Sequence, residues 1–248
     1  MARMRFMNTE IDNLTMGEAI KAIDRLISEN RGAYVVTPNV DHIVQLETNK
    51  ELQNAYANAS LILTDGKPLL WIAKWYGTPI KEKISGSDIF PRLCELAVKK
   101  GYKMFFLGAA EGVAVKAAKN LSERFKGLQV AGCYSPPFGF EKEQKEMEKI
   151  KKIINEVRPD ILVVSLGAPK QEKFMYEYCK ELSVPISLGL GACLDFEAGN
   201  IKRAPRWMSE HGLEWLFRIT QDPKRLAKRY FVDDMKILQL AFKYKFNR

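Results

Sequence analysis

The sequence predicts an α/β protein: a Rossmann-like, mostly parallel sheet flanked by helices, followed by a basic helical appendage. Three observations carry this expectation. Short apolar runs rich in β-branched residues alternate with helical patterns from Ala33 to Leu190, as in parallel sheets built from right-handed crossovers. Those runs end in Gly, Pro or Asp turns, and α/β sheets bind ligands outside the carboxyl ends of their strands. After Gly199 the texture changes to helical segments rich in Trp and Arg. An α/β core over residues 1–198 and a C-terminal appendage over 199–248 are therefore expected.

Each element has a local reason. Thr15-Met-Gly-Glu18 is a capping-box pattern opening a helix that runs to about Ser28. Ala33–Thr37 (AYVVT) is the first strong strand, stopped by Pro38, which has no N–H for the ladder. A single helix is expected from about Val40 to Ala57, with Thr37 and Asn39 left at the strand's C-terminal end. Helix capping and ligand contact are both open to those short polar side chains. Ser60–Pro68 (SLILTDGKP) reads as a buried strand running into the sharp turn Thr64-Asp65-Gly66. Taken alone, Asp65 is an ordinary Asp-Gly turn residue. Its neighbours at the other strand ends turn it into a carboxylate at the rim of a ligand crevice.

A helix over 69–75 follows, and another opens at Gly86-Ser87-Asp88 with Ser87 as N-cap and Gly101 as its stop. Lys103–Leu107 is a strand turning at Gly108 into a helix over 111–125; Gly108-Ala-Ala-Glu-Gly112 lacks the G-x-G-x-x-G spacing and reads as a plain βα turn. Leu128–Cys133 is a weaker strand, and the dense Lys/Glu pattern over 142–157 is a helix with a solvated face. Asp160–Leu166 is the most hydrophobic strand, expected near the sheet centre. It ends in Gly167-Ala-Pro-Lys-Gln171-Glu172, with Gln171 in the first turn of the next helix, and Pro185–Leu190 is the last strand. Beyond Gly199, Arg203-Ala-Pro-Arg206-Trp207 and Gly212-Leu-Glu-Trp215-Leu-Phe217-Arg218 suggest a short amphipathic helix. Asp222-Pro223 starts a final helix with Phe231, Met235, Leu238 and Phe242 on one stripe. Such a stripe suits a helix docked on the core or one lying at a membrane interface.

Composition narrows the function classes. A hydrophobic content of 46% supports a sizeable core, and no segment is compositionally disordered. Cys94, Cys133, Cys179 and Cys193 form no C-x-x-C pair, against a disulfide frame or zinc site. No apolar stretch follows Arg3 and Arg5 as in a signal peptide, and none approaches the ~20 residues that span a bilayer. The net charge is +9, and residues 196–248 hold twelve Lys/Arg against six Asp/Glu. A tail with two-thirds of the excess charge suits phosphates, anionic lipid or nucleic acid.

Thr37-Pro38-Asn39, Thr64-Asp65-Gly66, Gly167-Ala-Pro-Lys-Gln171-Glu172, Arg203-Ala-Pro-Arg206 and Gly212-Leu-Glu-Trp-Leu-Phe-Arg218, in that order, resemble the WecG/TagA/CpsF glycosyltransferase family. The resemblance runs from about Ile11 to Tyr230. The composition and basic tail are most similar to the branch acting in wall teichoic acid synthesis. That resemblance implies inverting transfer of N-acetylmannosamine from UDP-ManNAc to undecaprenyl-diphosphate-linked GlcNAc, making a β-1,4 bond. It maps the family's acidic residue onto Asp65 and its polar pocket residues onto Thr37, Asn39 and Gln171. Phe217 stands where an aromatic hydroxyl is frequent, away from these positions. Another branch uses N-acetylmannosaminuronic acid, so both donor sugars stay open.

The chemistry suits these residues independently. Inverting transfer needs a base for the acceptor hydroxyl proton, which a fixed carboxylate provides, and stabilisation of the leaving diphosphate. No convincing D-x-D follows a strand, and Asp195-Phe-Glu197 reads as a polar turn, so no metal or other cofactor is expected. Arg203, Arg206 and Arg218 are expected to bind substrate phosphates, with strand-end glycines and helix N-termini adding to the positive field. The expected partners are a UDP-sugar donor, a polyprenyl-diphosphate-linked sugar acceptor and the inner face of the cytoplasmic membrane, met peripherally, with no nucleic acid; a homo-oligomer is compatible with this. A binding module without chemistry, recruiting a nucleotide sugar or nucleic acid through its basic tail, would also explain the charge. It would not explain why the polar strand ends at Thr37/Asn39, Asp65 and Gln171 converge on one sheet edge.

Overall fold

The computed structural model describes residues 3–246, apart from the side chains of Arg206, Glu210 and Arg225. It starts with an antiparallel hairpin, β1 (Arg3–Phe6) and β2 (Thr9–Asp12), that sequence patterning did not anticipate. Then come α1 (Met16–Glu29), β3 (Ala33–Val36), α2 (Val40–Gln45), α3 (Lys50–Ala57), β4 (Leu61–Ile62), α4 (Lys67–Trp75) and α5 (Gly86–Lys100). The second half adds β5 (Lys103–Gly108), α6 (Val113–Arg124), β6 (Gln129–Tyr134), α7 (Gln144–Val157), β7 (Ile161–Ser165), α8 (Lys170–Tyr178) and β8 (Ile186–Gly189). Five helices follow: α9 (Cys193–Glu197), α10 (Arg206–Glu210), α11 (Glu214–Gln221), α12 (Pro223–Lys228) and α13 (Lys236–Phe246), with a π-helical turn, Arg229–Asp233, before the last.

Strands β3 to β8 form one parallel six-stranded sheet in the order β4-β3-β8-β7-β5-β6. The fold is the expected Rossmann-like α/β sheet with helices on both faces. Alternation along the strands builds the two faces. Val35, Val163 and Leu188 pack toward α1, α5, α6 and α9, while Tyr34, Val36 and Val164 pack toward α2, α3, α4, α7 and α8. Every residue of β7 is buried, as befits its interior place in the sheet. Each such apolar side chain taken from water contributes about 1.5–3 kcal/mol.

Several local expectations are corrected. The helix expected over 40–57 is two helices, because Asn49 caps a new one by accepting the Leu52 N–H at 3.1 Å. The N-cap of α5 is Ser85 rather than Ser87: its Oγ accepts the Asp88 N–H at 3.2 Å and donates to Asp88 Oδ2 at 2.6 Å. The final helix is broken at the π-helical turn. Asp195-Phe-Glu197 is helical, in α9.

The strand that carries Asp65 is short and lies at the sheet edge, where unpaired backbone groups must be satisfied. The unanticipated hairpin does this. Buried Asp12 accepts the Ile62 N–H of β4 at 2.8 Å and is itself held by Arg3 Nε at 3.3 Å. Arg3 also donates to the Ala59 carbonyl, so one ion pair fastens the hairpin to the edge from which Asp65 projects.

Candidate active site

The C-terminal ends of β3, β4, β7 and β8 open into one crevice, closed from the other side by α11 and the Arg229–Asp233 turn. Two cavities meet there. One, of about 450 Å³, is predominantly polar, and Thr37, Asp65, Ser87, Gln171 and Arg218 are among its lining residues. The other, of about 270 Å³, is largely apolar, with Trp215, Tyr230, Phe231 and Met235 in its wall. Asn39, Asp65, Glu214, Arg218 and Arg229 line both, so they stand at the junction.

Asp65 is fixed by its backbone. Its N–H donates to the Pro38 carbonyl at 2.8 Å, tying the β4 turn to the end of β3. Gly66 then takes φ +100°, a conformation that favours glycine, and the chain swings into α4. Burial raises the Asp65 carboxyl to about 6; Glu214 and Asp88 push the same way, against Lys83 and Arg218. A carboxylate displaced toward neutrality at the meeting point of two cavities has the character of an acid–base group.

The polar strand ends converge as the sequence predicts, but much of their hydrogen bonding is internal. Thr37 Oγ1 donates to the Gly189 carbonyl at 3.3 Å. Asn39 caps α2 through its Oδ1. Gln171, almost fully buried, accepts the Gly191 N–H at 3.1 Å and donates to Glu172 at 2.8 Å. Glu172 is fully buried and faces His42 Nε2 at 3.2 Å.

The three predicted arginines part company. Arg218 reaches the junction, with its guanidinium 5.8 Å from the centre of the Phe196 ring. Arg203 lies outside both cavities: it donates to Ser87 Oγ at 3.2 Å and the Ser87 carbonyl at 3.3 Å, and pairs with Asp88 at 2.5 Å. Pro91, inside α5, has no N–H for the Ser87 carbonyl, which leaves that acceptor to Arg203. The side chain of Arg206 lies outside the described residues.

Three charged groups here were missed from sequence: Arg229, Lys83 and Glu214. Arg229 reaches back to pair with Asp41 at 3.3 Å and approaches Asn39 Oδ1 at 3.5 Å. Lys83 pairs with Asp88 at 2.8 Å and lies 3.9 Å from Glu214. The basic tail signalled that cations would matter, but not which of its twelve would turn inward. Among the described residues no group of three or more His, Cys, Asp or Glu could hold a metal ion. Glu197 pairs with Arg124 at 2.7 Å.

A sequence model described as the glycosyl transferase WecG/TagA/CpsF family matches residues 4–248. The chain belongs to that family. Within it, the N-acetylglucosaminyldiphosphoundecaprenol N-acetyl-β-D-mannosaminyltransferase of Bacillus spizizenii is 33% identical over 199 residues, 80% of this chain and 75% of the relative. The Bacillus subtilis protein of the same name is 29% identical with the same coverage. That of Staphylococcus aureus is 25% identical over 229 residues, 92% of this chain and 88% of the relative. This WecG/TagA/CpsF glycosyltransferase thus joins a polar and an apolar cavity at a junction that Asp65 and Glu214 both line, and no helix among its described residues is long and apolar enough to cross a membrane.

Proposed function

We propose that this glycosyltransferase moves N-acetylmannosamine from UDP-ManNAc to undecaprenyl-diphosphate-linked GlcNAc with inversion, an early step of wall teichoic acid synthesis. Asp65 is the general base. The observation that carries this reading is the junction: a polar cavity suited to a nucleotide sugar meets an apolar one suited to the acceptor's lipid end, with Asp65 lining both. Asp65 takes the proton of the GlcNAc hydroxyl as that oxygen attacks C1 of the donor, and UDP leaves from the opposite face. Arg218 and Arg229 lie at the same junction, where cations stabilise charge developing on the diphosphate. Thr37, Asn39 and Gln171 shape the polar cavity, and Arg203 holds the appendage against α5. The curated relatives named above, on both Bacillus and Staphylococcus sides, support the sugar and acceptor.

The test is UDP release from UDP-ManNAc that depends on a GlcNAc-diphosphate-polyprenyl analogue, run beside UDP-N-acetylmannosaminuronic acid. Acceptor-dependent release from the second donor alone would reassign the sugar; UDP binding without release from either would return the binding-module reading.

A pH dependence follows from the base. With Asp65 raised to about 6, its protonated form dominates below that pH. The kcat/KM profile should therefore fall about tenfold per unit as pH drops below about 6. Asp234, buried beside Arg229, is also raised to about 6. Asp234→Asn should keep the acid limb, and its disappearance in that variant would transfer the limb to Asp234.

The proposal includes the division into a catalytic core, 1–198, and a membrane-associating appendage, 199–248. A lipid acceptor leaves the bilayer only at ~0.8 kcal/mol per exposed CH₂, so the enzyme must come to it. Phe231, Met235, Leu238 and Phe242, the stripe seen in the sequence, are all more than half exposed or close to it, at 59%, 50%, 52% and 58%. Phe231 and Met235 also line the apolar cavity, which sets the acceptor's entrance on this surface. Burying each side chain in lipid contributes about 1.5–3 kcal/mol. Replacing Phe231, Leu238 and Phe242 by Ser should cut partitioning onto anionic liposomes by 10²-fold or more, roughly. Unchanged sedimentation with liposomes would remove this surface as the membrane contact.

A further inference from the structure

We propose that His42 and Glu172 are positioning residues: a buried imidazolium–carboxylate pair that draws the Asn39 carbonyl inward and leaves the Asn39 Nδ2 to donate to an oxygen of the nucleotide sugar. The ligand class rests on the function proposed above; the pair itself rests on contacts within the protein.

The atom assignment of Asn39 follows from its neighbours. Its Oδ1 is approached by the His42 backbone N–H at 3.4 Å and by Arg229 Nη2 at 3.5 Å. Both groups can only donate, so the atom they approach is the oxygen. His42 Nδ1 lies 2.8 Å from that same oxygen, which requires a proton on Nδ1. On the other side of the ring, Nε2 lies 3.2 Å from Glu172 Oε1, which also accepts from Gln171 at 2.8 Å. Gln171 Nε2 can only donate, so Oε1 is an accepting oxygen, and its contact with the ring places a proton on His42 Nε2 as well. With both nitrogens protonated, His42 is a cation.

Burial makes that state selective. His42 is 4% exposed and Glu172 fully buried, and Glu172 Oε2 has no hydrogen-bond partner in the protein. An ionised carboxylate in that position needs a counter-charge. Burial opposes the imidazolium, but the charge and hydrogen bond of Glu172, aided by Asp41 on α2, outweigh it and raise the His42 pKa. From the other elements around the ring, Arg229 works against the cation, Asp234 interacts with His42, and Tyr56 of α3 packs at 6.1 Å between ring centres.

The pair ties together three parts of the crevice. Glu172 orders Gln171, which holds the Gly191 N–H of the β8 loop, and His42 orders Asn39 at the end of β3. The Asn39 backbone N–H also points at Nδ1, at 3.3 Å, so that nitrogen meets a donor as well as the Asn39 oxygen, and the shorter contact, 2.8 Å to the oxygen, places the proton. His42 thus adds a third donor to the Asn39 oxygen, beside its own backbone N–H and Arg229 Nη2, and this leaves the Asn39 Nδ2 outside those contacts.

The chain has two histidines, His42 and His211, so imidazole nitrogens can be assigned by ¹H–¹⁵N NMR on the full-length protein with His211→Gln as reference. At pH 7.5 both His42 nitrogens should be protonated in the wild type, and Glu172→Gln, which keeps shape but removes the charge, should leave one protonated. A singly protonated His42 in the folded wild type overturns the proposal. In kinetics, Glu172→Gln should raise the KM for UDP-ManNAc about tenfold with a smaller change in kcat. The same substitution on an Asn39→Ala background should add little, because the positioned group is gone. Full additivity of the two, in variants with native melting curves, overturns positioning through Asn39. The NMR reading needs no substrate, so its failure overturns this pair alone. A wild type that releases no UDP from UDP-ManNAc overturns the proposed function, while the protonation state still decides the pair.

Discussion

Asp65→Asn is expected to lower kcat by about 10²–10⁴-fold, the range associated with loss of a positioned general base. Asn keeps the size of the side chain and removes its basicity. UDP affinity should change little, because the base acts on the acceptor hydroxyl. Stability should move the other way. The folded protein raises this carboxyl to about 6, so its favourable contribution is present below the unfolded value and is lost as pH rises through about 6. At pH 7.5 the ionised side chain is a strained one, and Asn in its place should leave the melting temperature unchanged or higher. Near-normal turnover in a variant with a native melting curve would exclude Asp65 as the base. A fall in turnover accompanied by a lowered melting temperature would point instead to a structural role for the β4 turn.

Arg218→Ala is expected to reduce kcat by about 10²–10³-fold, the cost of removing one preorganised group that stabilises developing charge. Arg218 is the predicted arginine that lies at the junction of the two cavities, and its field opposes the upward shift of Asp65. Its removal should therefore also move the acid limb of the kcat/KM profile to higher pH. Arg218→Lys should restore the pH profile more fully than kcat, because Lys supplies charge without the bidentate fork that Arg offers to phosphate. An Ala variant with raised KM and unchanged kcat would reduce Arg218 to ground-state binding. Arg203→Ala, by contrast, removes contacts to Ser87 and Asp88 that lie away from the junction. Comparing the two variants separates an arginine acting on substrate from one acting on packing.

The repeating elements of the core were legible because each has a local cause. The Thr15–Glu18 capping box forms as its spacing requires, with both reciprocal hydrogen bonds present. Ala33–Val36, Lys103–Gly108 and Ile161–Ser165 are β-prone apolar runs bounded by turn residues, and they are strands. Strand ends carrying Thr37, Asp65 and Gln171 could be placed at one rim because a parallel sheet puts all its carboxyl ends on one edge. What failed locally was competition between nearby polar groups. Asn49 and Ser85 each offered the backbone a side-chain acceptor that won over the expected helix start or continuation.

By itself the sequence determined the fold class, the rim residues and the excess positive charge of the tail, since these depend on periodicity, turn chemistry and composition. Only the tertiary structure decided how those residues are used. Strand order put the two-residue strand that leads to Asp65 at the sheet edge, held by Asp12 and Arg3. Docking of the tail sent Arg218 and Arg229 to the junction and Arg203 to the Ser87 carbonyl left open by Pro91. Burial joined His42 to Glu172 across 130 positions of sequence. These are long-range contacts between polar groups. Their partners are chosen by packing and by the cost of burying an unpaired charge, and neither quantity is written in any short stretch of the chain.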